Sequence, residues 1–268
     1  MSRTITRWRI PALAAAVLTL AALAAPSSAA AETTKPKPTI VFVHGAWADA
    51  SSWAEVSQRL QRRGYTVLAA PNPLRGLSAD AAYLSAFLAQ RTTGPVVLVG
   101  HSYGGAVVTN AAGSDPDVKA LVYVNAFVPD EGETVLGLQG GGDPSALFDT
   151  VQYPGAPQGD VDLYVKQAVF PKAVAGDLPA ATAARLAAAQ RPITLSALTE
   201  PSGPPAWKKL PSWYVLGTED GILPASLQQT MAKRAGSKVT MVPAAHLSML
   251  SEPDAVVDVI ASAAKSTG

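Results

Sequence analysis

The ten residues Val96-Val97-Leu98-Val99-Gly100-His101-Ser102-Tyr103-Gly104-Gly105 restrict what this chain can fold into more than any other stretch. The β-branched apolar run predicts a buried strand. Gly-x-Ser-x-Gly follows directly, and then Ala106 to Ala112, a stretch compatible with a helix. Strand, tight turn and helix in that order put Ser102 at the apex of the turn. A residue there must adopt a strained backbone, and Gly100 and Gly104 lack the Cβ atoms that would collide with it. The hydroxyl then stands clear of the sheet. The helix N-terminus behind it offers free N–H groups and a partial positive charge to a developing anion. A simple glycine-rich turn after a buried strand is the alternative. The helical stretch that follows and the further glycine at Gly105 favour a nucleophilic serine.

The 268 residues are 48% hydrophobic and 15% charged, which suits one α/β domain with a sizeable core. The absence of cysteine excludes thiol catalysis, disulfides and thiolate metal sites. Arg3, Arg7 and Arg9, an apolar run from Ile10 to Ala25, and small residues at 28–31 read as a secretory signal peptide over residues 1–31. The apolar run is short for a retained membrane anchor, the competing reading. The leader holds no twin arginine, so the general secretory route and an extracellular location are expected. Residues 32–38, with two Lys-Pro pairs, read as an extended linker. Without the leader, 18 basic residues face 20 acidic ones, a net charge of −2. No basic cluster is interleaved with aromatics, so nothing points to a nucleic-acid partner.

From Thr39 onward, strand and helix patterns alternate, as in a mainly parallel sheet with helices on both faces. Thr39 to Val43 is a strand ending at His44-Gly45. Ser52 with Glu55 reads as a capping box, opening a helix with Trp53, Val56 and Leu60 on one face and Gly64 at its end. Strands are expected at 65–70, 96–99 and 119–127, and a helix at 78–90 with Ala82, Phe87 and Leu88 among its apolar positions. The alternation stops over about 130–210, where Gly/Pro clusters accompany two expected helices, near 161–170 and 179–190. This insertion is expected to form a cap over the site. Strands at 213–216 and 238–242 enclose a helix at 224–234. A last helix, capped by Ser251 with Asp254 in its first turn, closes the chain.

A serine hydroxyl needs a base, and the base needs a third group to hold its tautomer. A serine on this kind of turn is followed along the chain by the acid and then the histidine. Of three histidines, only His246 lies after Ser102. His44 sits in the first loop, and His101 points away from the serine by alternation. Asp220, in Gly-Thr-Glu-Asp-Gly just past a strand, is the leading acid; Asp130 and Glu219 are the alternatives. An oxyanion hole would take its two N–H groups from Tyr103 and, in the His44-Gly45-Ala46-Trp47 loop, from Ala46. The side chains of Trp47, Tyr103 and Leu247 either face a substrate pocket or belong to the core.

Together, Val43–Trp47, Gly100–Gly105, Gly217–Asp220 and His246–Pro253 resemble the motifs of the α/β-hydrolase superfamily. Within it, the chain is similar to the small-esterase branch that includes plant methylesterases and hydroxynitrile lyases. The resemblance runs from about Thr39 to Ile260 and is weak through the insertion. It implies the α/β-hydrolase fold, a mainly parallel doubly wound sheet with an inserted helical cap. It also implies a Ser-His-Asp enzyme with no metal and no cofactor, acting on a small-molecule carboxylic ester in an apolar pocket, with no stable membrane association once the leader is removed. Lyases of the branch carry lysine where this chain has Leu247 and threonine where it has Ala46, which favours hydrolysis here. Ser102 excludes the relatives that use an aspartate nucleophile. Lyase, perhydrolase or amidase chemistry, or ligand binding without turnover, are the other readings such a site permits.

Overall fold

In the computed structural model, six parallel strands lie in the order β2 (Val67–Ala70), β1 (Thr39–Val43), β3 (Val96–His101), β4 (Val118–Val124), β8 (Ser212–Gly217) and β9 (Lys238–Val242). The structure describes Met1 and residues 36–140 and 144–267. Apart from Met1, the expected leader and residues 32–35 of the linker lie outside the described residues, as do two glycines of the Gly140-Gly141-Gly142 cluster. The first half of the unit comprises β1 (Thr39–Val43), α1 (Ala54–Arg62), β2 (Val67–Ala70), α2 (Leu77–Arg91), β3 (Val96–His101), α3 (Tyr103–Ala111) and β4 (Val118–Val124). β3 is buried at every position, as its unbroken apolar run requires. From β1 the chain moves to one side of the sheet, and from β3 to the other. With right-handed crossovers this reversal opens a crevice between the C-terminal ends of β1 and β3. The loop after β1 and the turn after β3 meet there.

The segment after β4 holds α4 (Val135–Leu138), β5 (Phe148–Val151), β6 (Asp162–Val165), α5 (Phe170–Ala173), α6 (Ala180–Ala188), β7 (Ile193–Thr194) and α7 (Leu195–Thr199). β5, β6 and β7 form a separate antiparallel sheet. The helix expected at 161–170 is therefore a strand, with helix beginning only at Phe170. Leu163 and Val165 are buried two residues apart, the period of a strand. The fold resumes with β8 (Ser212–Gly217), α8 (Ala225–Arg234), β9 (Lys238–Val242), α9 (Ser248–Ser251) and α10 (Pro253–Lys265). Among the described residues no helix is long and apolar enough to cross a membrane.

Three local expectations change. A 3-10 turn over Ala50–Trp53 precedes α1, and its cap is Asp49, whose Oδ1 accepts from Ser51 N–H at 2.8 Å. Ser52 instead donates its hydroxyl to Asp49 O at 2.7 Å, and exposed Glu55 pairs with Arg59. α10 starts at Pro253, whose fixed φ suits the first helical position, so Ser251 does not cap it. In α2 the buried stripe is Leu77, Ala81, Leu84 and Leu88, while Ala82 faces solvent.

The end of α1 follows the expectation. Gly64 has φ +78°, Tyr65 N–H bonds Leu60 O at 3.1 Å, and Gly64 N–H bonds Gln61 O at 2.8 Å. This closes the helix through a left-handed residue. Gly64→Ala should destabilise the fold by about 1 kcal/mol, read by urea denaturation, because a Cβ is unfavourable at that φ.

Candidate active site

Ser102 has φ +51° and ψ −124°, a conformation that a residue with a Cβ rarely adopts. Its carbonyl is held from two sides, by Gly105 N–H at 2.9 Å and Phe127 N–H at 3.1 Å. A Cβ on Gly100 would lie 2.6 Å from Gly104 O, and one on Gly104 would lie 2.5 Å from Val43 O. Both glycines are thus needed because backbone packs directly on backbone. The same closeness brings in the loop after β1, where a Cβ on Gly45 would lie 2.6 Å from Ser102 Cβ.

Ser102 Oγ is 2.9 Å from His246 Nε2, and His246 Nδ1 is 2.8 Å from Asp220 Oδ2. An ionised Asp220 only accepts, so Nδ1 carries the proton and Nε2 is left to accept the Ser102 hydroxyl. Burial pushes the Asp220 carboxyl pKa up. The facing His246, the Leu223 N–H at 2.8 Å and the Asn125 amide at 2.9 Å outweigh that and hold it below the ordinary carboxylate range. Asp220 therefore stays ionised at neutral pH. The alternative acids lie elsewhere: Asp130 pairs with Lys208, and Glu219 is exposed.

Asn125 was not singled out from the sequence. It is buried directly after β4 with φ +45°, donates to Asp220 Oδ2 at 2.9 Å and to Ala245 O at 3.2 Å, and accepts from Ser248 Oγ at 2.5 Å. Gln228 on α8 also reaches Asp220 Oδ2, at 3.3 Å. An asparagine where a strand ends is a faint signal for a left-handed residue, and nothing in its spacing links it to Asp220.

His101 points away from Ser102 yet still belongs to the site. Its Nε2 donates to His246 O at 2.9 Å, and its buried Nδ1 has no partner among the described residues. Complete burial pushes its pKa well below the ordinary histidine range, and His246 beside it adds to the effect. His44 is pushed down chiefly by burial as well.

Ala46 lies in the loop after β1, and Tyr103 is the first residue of α3, directly after Ser102. The neighbouring Trp47 N–H is taken by Arg191 O at 2.9 Å. The Tyr103 side chain does not face a pocket. It is buried between α2 and α3, with its hydroxyl donating to Asp80 Oδ2 at 2.8 Å. Trp47 has φ +59°, donates Nε1–H to Leu163 O at 3.0 Å and stacks at a tilt on Phe148. Trp47 and Leu247 line a cavity of about 40 Å³ with Asp49, Phe170, Leu186 and Leu250. Ser102, His246 and Asp220 are 2%, 1% and 7% exposed, so the site is closed to solvent in this conformation.

The buried neutral histidines make a stability prediction. Below about pH 6.5 the unfolded chain takes up protons that His44 and His101 do not accept in the fold, so stability falls as pH drops. Calorimetry should show Tm decreasing between about pH 7 and 5, with a shallower slope in His101→Gln, which keeps an N–H donor.

A profile of the alpha/beta hydrolase family matches residues 40–259. The chain is 27% identical over 246 residues to a pyrethroid hydrolase of Sphingobium wenxiniae, covering 83% of this chain and 86% of that protein. It is 33% identical over 110 residues to a carbendazim-hydrolysing esterase of a Nocardioides strain. That match covers 37% of this chain and spans less than half of the esterase, 46%. The crystal structure of polyneuridine aldehyde esterase superposes with a TM-score of 0.72 at 20% identity, over 85% of this chain and 99% of that one. On the family match, which runs through the whole parallel sheet and every element of the site, the chain belongs to the alpha/beta hydrolase family.

Proposed function

We propose that this chain, an esterase-type hydrolase by family, cleaves small or aromatic carboxylic esters through an acyl-enzyme on Ser102. The observation that carries the reading is the continuous hydrogen-bonded series Asp220–His246–Ser102. His246 Nε2 takes the Ser102 proton as Oγ attacks the ester carbonyl. Ala46 and Tyr103 N–H stabilise the oxyanion, each contributing about 3 kcal/mol to the transition state. His246 passes the proton to the departing alcohol, then activates a water that releases the acid and restores Ser102. Asp220 holds the imidazole tautomer and stabilises the imidazolium. Trp47 and Leu247, buried apolar neighbours of Ala46 and His246 along the chain, suit a compact or aromatic ester better than a long-chain lipid. Relatives named as a pyrethroid hydrolase and a carbendazim-hydrolysing esterase support a small-molecule ester as substrate. Export is part of the reading, supported by the composition of residues 1–31.

With p-nitrophenyl acetate or butyrate, Ser102→Ala should lose at least about a thousandfold in kcat. Asp220→Asn should lose about ten-thousandfold through the wrong imidazole tautomer. Turnover at the wild-type rate in Ser102→Ala refutes the assignment. Labelling of Ser102 by a fluorophosphonate without turnover of any ester points instead to ligand binding.

A further inference from the structure

The loop that carries His246 is held at each peptide group leading up to it. Ala244 N–H bonds Val242 O at 2.9 Å, and Ala244 O accepts from Glu219 N–H at 3.0 Å. Ala245 O accepts from Asn125 at 3.2 Å, and His246 O accepts from His101 at 2.9 Å. All of these partners belong to the parallel sheet and its loops. The exception is Ala245 N–H, which is bound at 2.9 Å by Asp177 Oδ2, between α5 and α6 of the inserted segment. The inserted backbone also touches the acid loop: a Cβ on Gly221 would lie 2.8 Å from Ala173 O. Asp177 Oδ1 is buried with no partner among the described residues, so the carboxylate's one bond is the bond to the histidine loop.

We propose that Asp177 is a positioning residue that couples closure of the inserted segment to the placement of His246. The proposal rests on the esterase reading above. With Ser102 only 2% exposed, substrate reaches it when the inserted segment moves away. That motion withdraws Asp177 and frees Ala245 N–H, one residue from the base. When the segment returns over bound substrate, Asp177 re-engages and sets Nε2 against Ser102 Oγ. The base is thus fully aligned only in the closed, water-excluding state. Displacement of a catalytic group by about 1 Å costs on the order of a hundredfold in rate, so one hydrogen bond at this place is enough to gate the chemistry.

The test is the rate constant for labelling of Ser102 by a fluorophosphonate, measured beside Tm on the whole chain. This readout needs no knowledge of the natural ester, and it is a property of the folded molecules, so partial unfolding lowers its amplitude and not its rate. Asp177→Ala should slow labelling tenfold to a hundredfold. Asp177→Asn, whose amide oxygen still accepts from Ala245 N–H, should stay within threefold of wild type. Asp177→Ser, too short to reach, should behave as the alanine variant and replaces it if that variant does not fold. Wild-type labelling rates in Asp177→Ala or Asp177→Ser overturn the proposal, as does an Asp177→Asn variant as slow as they are. A lowered Tm with unchanged rates reduces Asp177 to a structural role. If wild-type Ser102 is not labelled at all, the esterase reading fails first and the coupling falls with it.

Discussion

The arrangement at Ser102 depends on close packing where the turn after β3 meets the loop after β1. Hypothetical Cβ atoms on Gly45, Gly100 and Gly104 would lie 2.6 Å or less from Ser102 Cβ, Gly104 O and Val43 O. Two of those obstacles are carbonyl oxygens, which cannot swing aside as the tip of a side chain can. The missing Cβ atoms let the turn after β3 sit directly on the loop after β1. That contact sets Gly45 against Ser102, whose backbone keeps a conformation it would not otherwise choose. The strain persists because two N–H groups anchor the Ser102 carbonyl.

The second requirement is to keep a charged carboxylate where water does not reach. Asp220 is compensated by donors from four places: the Ile222 and Leu223 amides of its own loop, Asn125 after β4, Gln228 on α8 and the His246 ring. Burial alone would favour the neutral acid; these donors reverse the balance. Because they sit on rigid elements, the field at the imidazole exists before any substrate arrives. The price is a set of buried polar groups, such as His101 Nδ1, that the fold leaves without partners among the described residues.

The inserted segment is built into this arrangement. It takes the Trp47 N–H through Arg191 O and supports the indole through Leu163 O and Phe148. At the other end of the site Asp177 holds the peptide before His246. The segment thus packs both on the loop after β1 and on the loop that carries His246.

The parallel strands, the turn at Ser102 and the close of α1 at Gly64 were legible in the amino-acid sequence. These are local matters: apolar period, absent Cβ atoms and positive φ are written within a few neighbouring residues. It misled at 161–170, where an apolar run fits helix and strand alike until Leu163 finds Ile193 across the small sheet. It misled again at Ser52 and Ser251, where a 3-10 turn and a proline moved the helix starts. The bond from Asn125 to Asp220, the inward turn of the Tyr103 side chain toward Asp80, and the reach of Asp177 to Ala245 came only with the packed tertiary structure. Each joins residues tens of positions apart, and no local pattern encodes which buried donor will face which acceptor once sheet and insertion have packed.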